Sequence, residues 1–126
     1  MNSAANSFVQ VGETHIRYDQ LVYQLFKLDT APMMALHAAL GVCGEAGELA
    51  DAIKKQYVYG KKVDIGNIIE ELGDLRFYIQ AVMNHYGLKE QDILQVNANK
   101  LATRYKSLTY SDEAAIDRAD KKSPDA

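Results

Sequence analysis

Between Asp64 and Gly87 the sequence carries an apolar repeat that only a helix satisfies. Ile65, Ile68, Leu72, Leu75, Ile79, Val82 and Tyr86 recur at three- and four-residue steps, which lines them along one side of an α-helix. Asp64 is a good N-cap for that helix, and Gly87 is a fitting left-handed stop. Yet Ile69, Phe77, Tyr78, Ala81 and Met83 carry the apolar surface well beyond one stripe. A helix apolar over most of its circumference has to be covered on more than one side. A chain of 126 residues with four helices has little material to do that alone. The sequence therefore predicts a homo-oligomer, dimer or tetramer.

The rest of the chain reads the same way. Tyr18, Leu21, Leu25 and Leu28 mark a first helix from about 17 to 28, stopped by Asp29-Thr30-Ala31-Pro32. A second is expected over about 33–57, with Leu36, Ala39, Leu40, Cys43, Gly47, Ala50 and Ile53 or Lys54 as its stripe, which puts Cys43 in the core. Gly41, Gly44 and Gly47 each cost that helix roughly 1 kcal/mol against alanine, so close approach by another helix or a ligand is expected there. A fourth helix over about 89–105 carries Ile93, Val96, Leu101 and Tyr105. No run shows the alternation of a strand. The expected fold class is all-α, a four-to-five-helix bundle over 16–110. Residues 1–15 are expected to be a flexible lead-in, and the charged segment 111–126 a flexible tail.

Composition removes several classes of function. The net charge is −3, from 14 Lys and Arg against 17 Asp and Glu, with no basic stripe, so nucleic acid is not the expected partner. No stretch is apolar for long enough to span a membrane. The first 15 residues lack the basic start and apolar centre of a secretory signal. The single cysteine, Cys43, cannot form an internal disulfide. A cytoplasmic protein is expected.

The chemistry-bearing residues sit on the second and third helices. Gly44-Glu45-Ala46-Gly47-Glu48 and Glu70-Glu71-Leu72-Gly73-Asp74 each place two acids three residues apart. That spacing puts them on one helix face, with β-carbons about 5–6 Å apart. Two such pairs on neighbouring helices offer four carboxylates to one small volume. Hard oxygen ligands without Cys or His nearby suit Mg²⁺ or Mn²⁺ rather than zinc. Ferritin-like bundles need Glu-x-x-His pairs, and none occurs here.

ExxE followed one helix later by ExxD resembles the signature of the all-α nucleoside triphosphate pyrophosphohydrolases. These are the MazG-like proteins, with the all-α dUTPases, the dCTP pyrophosphatases and the phosphoribosyl-ATP pyrophosphohydrolase of histidine synthesis. Lys100 and Arg104 fit the Lys and Arg that the MazG pattern places downstream, with Asn97 one turn before and Tyr105 closing the segment. The resemblance covers roughly residues 33–106. It departs at Gly44, where the family often has the first acid of EExxE.

The resemblance implies hydrolysis of a nucleoside triphosphate to the monophosphate and pyrophosphate, with Mg²⁺ and with Mn²⁺ as the possible substitute. Glu45, Glu48, Glu71 and Asp74 are then the metal ligands, and Glu45 or Glu48 also orients or deprotonates the attacking water. Lys100 and Arg104 hold the β- and γ-phosphates with Asn97 on the same face, and Lys54 is a further phosphate-contact candidate. A dedicated dUTP or dCTP hydrolase of the same superfamily is the alternative within that reading. A non-enzymatic oligomeric helical module is the alternative outside it. Tyr18, Tyr57, Tyr59 and Tyr78 are expected to pack rather than to form a base-binding box, and His37 to take a surface or core role.

Overall fold

The computed structural model describes residues 7–123, so the first six residues of the expected lead-in and the last three of the expected tail lie outside it. The chain order is a hairpin, β1 (Phe8–Val11) and β2 (Thr14–Arg17), then α1 (Tyr18–Leu25), α2 (Ala31–Val58), α3 (Ile65–Tyr86), α4 (Glu90–Arg104), α5 (Asp112–Asp117) and a 3-10 turn (Ala119–Lys121). The chain divides into two units, one ending at Leu88 and the other beginning at Lys89. The fold is mostly helical, as expected, and it also holds structure in two places where the composition points to none.

The first is the hairpin. β1 and β2 pair antiparallel in the register Val9↔Ile16 and Val11↔Thr14. Gly12, at φ +62°, takes the first of two loop positions, where a tight hairpin needs a left-handed residue. With four residues per strand, the alternation is too short to register as a strand pattern. The second is the segment after Tyr110, where Ser111 caps α5 by accepting from the Ala114 amide at 3.1 Å. Arg118 ends α5 in a left-handed conformation and leads into the 3-10 turn.

The helix signals at α3 act as the sequence implies. The Asp64 carboxylate accepts from the Asn67 amide at 3.0 Å, and Gly87 closes the helix at φ +63° with the Leu88 amide reaching back to the Met83 carbonyl at 2.8 Å. A proline in the first turn of α2 starts that helix. No helix among the described residues is long and apolar enough to cross a membrane.

The packed faces differ from the expected ones. α2 turns Ala38 and Gly41 towards α3, not the Leu36, Leu40 and Cys43 stripe. Ala38 is fully buried, whereas Leu40 is 60 % exposed and Cys43, expected in the core, is exposed too. On α3 the buried residues are Gln80, Ala81 and Met83, while Ile65, Leu72 and Tyr86 of the predicted stripe lie open. The core of this unit is small: Val22, Ala38 and Ala81, with Tyr18, Phe26, Phe77 and Val82 packed around them. The reason is steric. A methyl or a hydrogen lets two helices approach where leucines hold them apart, and a β-carbon at Gly41 would overlap the Tyr78 ring.

A polar ladder fastens α1 to α3. Arg76 donates to Gln80 at 3.0 Å, Gln80 to Asn84 at 2.9 Å, and Asn84 to the Asp19 carbonyl at 2.9 Å. Gln80 is buried, and each hydrogen bond satisfies a group that would otherwise be costly there.

Gly41→Ala is expected to lower the melting temperature. Three ring atoms of Tyr78 stand where the new methyl goes, which places the cost at the upper end of the roughly 1–3 kcal/mol of overpacking. That exceeds the gain in helix propensity of about 1 kcal/mol. Gly47→Ala, whose β-carbon meets nothing within 4 Å, keeps the propensity gain and is expected to melt higher. Thermal melts of the two variants against the parent check both signs.

Candidate metal centre

The Gly41–Tyr78 approach sets where α2 and α3 lie side by side. One turn further along α2 and one turn back along α3, the acids meet. Ligand oxygens of Glu45, Glu71 and Asp74 all fall within 4.8 Å of one another. Glu45 and Glu71 are half-buried and Asp74 is exposed. Glu48, one turn beyond Glu45, is exposed and outside this trio, but its charge acts on Glu71.

That electrostatic state is visible in Glu71. Desolvation raises its pKa above the ordinary carboxylate value, and the charges of Glu45 and Glu48, a hydrogen bond with Glu45 and the charge of Asp74 add to the rise. Like charges held this close favour a proton shared between carboxyls, or a cation in its place. The donor set consists of hard oxygens without Cys or His, which fits Mg²⁺ or Mn²⁺ and does not suit a soft metal.

The structure brings three of the four predicted ligands into one cluster and leaves Glu48 beside it. Lys54 is engaged elsewhere: its ammonium lies 3.5 Å from Asp51 and 5.5 Å from the centre of the Tyr59 ring. Asn97, Lys100 and Arg104 lie on α4 in the second unit, at spacings that put them on one side of that helix. Asn97 and Lys100 are exposed. Arg104 donates from Nε to Asp120 Oδ1 at 2.7 Å and from Nη2 to Oδ2 at 3.0 Å.

Sequence reasoning missed two groups. One is Asp120, placed in the segment read as a tail. The other is an aromatic cluster at the Gly41 contact, with Phe26 and His37 ring centres 4.7 Å apart and Tyr78 lying 6.0 Å from His37 and 5.3 Å from Phe77. Tyr78 was expected to pack, and it does; His37, expected at the surface or in the core, lies against Phe26 and Tyr78, whereas Tyr57 and Tyr59, expected to pack, are exposed. The signal available was Gly41 itself, a glycine in a helix that needs a bulky partner.

Compared with known proteins, residues 35–109 match the family model described as the MazG nucleotide pyrophosphohydrolase domain. No curated protein and no solved structure matches the chain.

The repulsion at Glu71 has a testable sign. A raised carboxyl pKa means the folded chain binds the proton more tightly than the unfolded one, so protonation stabilises the fold. The destabilising charge is present at neutral pH and is relieved as the pH falls through the folded pKa. Metal-free Glu71→Gln is therefore expected to melt above the wild type at neutral pH. Its advantage should shrink as both are acidified towards the carboxylate range of about 4. Paired melts over pH in a chelator measure this, and a variant that melts lower at neutral pH would contradict it.

Proposed function

The chain belongs to the MazG nucleotide pyrophosphohydrolase family, and from that premise we propose that it hydrolyses a nucleoside triphosphate to the monophosphate and pyrophosphate with Mg²⁺, or Mn²⁺ in its place. The observation that carries the reading is the Glu45, Glu71 and Asp74 cluster between two facing helices. These three hold the cation, with Glu48 as the fourth ligand. Such an ion, when bound, lowers the pKa of a water and offsets charge on phosphoryl oxygens.

The chain's own groups do the remainder. Glu45 or Glu48 orients the water and takes its proton as the oxygen attacks the α-phosphorus. The bond from that phosphorus to the bridging oxygen of the β-phosphate breaks, and pyrophosphate leaves. Lys100 and Arg104 hold the β- and γ-phosphates, and the Asn97 amide adds a donor on the same helix face. Lys54, half-exposed and 3.5 Å from Asp51, is a secondary candidate for a phosphate contact. No Ser, Cys or His nucleophile is called for.

Self-association belongs to the same proposal. Leu36, Leu40, Ile65, Ile69 and Leu72 are all about half exposed or more in the single chain, on α2 and α3. Such a surface is what a second protomer covers.

Four outcomes are expected. A panel of ribo- and deoxyribonucleoside triphosphates should release pyrophosphate, only with Mg²⁺ or Mn²⁺ present, in assays free of pyrophosphatase. Release of orthophosphate would overturn the bond assignment. Excess Mg²⁺ should raise the melting temperature, since binding the native state alone stabilises it by about 2.7 kcal/mol at a hundredfold excess over Kd. Glu48→Gln should lose most of that shift and nearly all activity. Light scattering at micromolar concentration should give a dimer or tetramer.

A further inference from the structure

Arg104 is the last residue of α4, a helix in which no residue is buried. A long, flexible side chain in that position has many rotamers open to it, and the helix alone gives it nothing to lean on. It is nonetheless held. Asp120 meets the guanidinium side-on, one carboxylate oxygen on Nε at 2.7 Å and the other on Nη2 at 3.0 Å. The Asp120 side chain is 2 % exposed, and Arg104 holds its carboxyl well below the usual range, at about 2.

We infer that Asp120 is a positioning residue that aims Arg104 at a phosphate, and that the segment from Ser111 to Lys121 serves to carry it. This rests on Arg104 taking phosphate as proposed above. A guanidinium has five N–H donors, and the side-on pair uses two of them. The edge left over, both hydrogens of Nη1 and the second of Nη2, is one that two phosphate oxygens fit bidentately. A carboxylate on that end edge would block the arginine, whereas on the Nε side it fixes the direction and leaves those donors to other partners; the side chain keeps 17 % of its surface exposed, and Tyr105 is its second hydrogen-bond partner. The chain builds this deliberately: the Ser111 cap starts α5, and left-handed Arg118 stops it so that Asp120 falls in the following turn. Lys100 lies exposed one turn earlier on the same helix.

The test uses the full chain and inorganic triphosphate as probe, measured by titration calorimetry without metal, alongside KM and kcat for whichever nucleotide the panel identifies. Arg104→Ala is expected to weaken triphosphate binding about tenfold, the scale of one charge-assisted bidentate contact. Asp120→Ala and Asp120→Asn are expected to come close to that loss, raising KM more than they lower kcat. The double variant should be no worse than Arg104→Ala alone. Ser111→Ala weakens the cap of the segment that carries Asp120 without touching Arg104, and is expected to lower the melting temperature while costing triphosphate affinity clearly less than Asp120→Ala does. If Asp120→Ala binds triphosphate as well as or better than the wild type while Arg104→Ala binds it poorly, the positioning role is overturned and Arg104 keeps its own. A loss in Ser111→Ala equal to that in Asp120→Ala would reduce Asp120 to a structural fastening. Unchanged binding in Arg104→Ala would overturn the phosphate reading of that residue, and the inference with it.

Discussion

The structure of the first unit depends on one close approach, the Tyr78 ring against the α2 backbone at Gly41. Helices with leucines at their interface stay about 8–10 Å apart, and small residues bring them nearer. Here Ala38 and Ala81 extend the same narrow seam, and both are buried. The seam sets the register between α2 and α3, and register decides which side chains meet one turn away. Glu45 meets Glu71 and Asp74 because Gly41 meets Tyr78.

Gathering carboxylates in this way works against folding when no cation is present. The raised Glu71 pKa is the local mark of that opposition. The core that offsets it is small, and the Arg76–Gln80–Asn84 ladder supplies directional support from the other end of α3. Small-residue packing at the Gly41 seam and the polar ladder towards the C-terminal end of α3 together oppose the repulsion at the acids. Functional positions commonly break local rules and are compensated elsewhere.

Some of this was legible in the sequence. α3 begins and ends where Asp64 and Gly87 imply, because caps are local chemistry between residues three or four apart. The acid pairs were legible for the same reason, since i,i+3 spacing fixes a shared face before any tertiary contact exists. What was not legible is which face of each helix turns inward. Periodicity finds the apolar stripe of α2, but Leu36, Leu40 and Cys43 lie open while the alanine and glycine side packs. Hydrophobicity ranks leucine above glycine, whereas close helix approach ranks them in the opposite order. Asp120 was illegible for a further reason: the segment 111–126 is charged and poor in large apolar groups, and nothing in its composition marks the one acid that pairs side-on with Arg104.

Charge placement within the first unit argues for a divalent ion independently of the carboxylate geometry. A triphosphate brings several negative charges, and the acids of α2 and α3 repel it. Three basic residues of the same unit have partners of their own. Lys54 and Lys55 lie 3.5 Å and 3.3 Å from the two oxygens of a single carboxylate, Asp51, and those lysines hold its pKa down. Arg76 donates to Gln80 and stands over the Tyr18 ring. Lys27, Lys61 and Lys62 of the unit are exposed, and at the Glu45, Glu71 and Asp74 cluster itself the groups brought together are carboxylates. Only a positive charge held among those carboxylates reverses the sign, and hard oxygen donors favour a divalent ion over any side chain for that role. An acidic chain can thus act on a polyanion, provided each carboxylate that repels the substrate is first turned to holding its counter-charge.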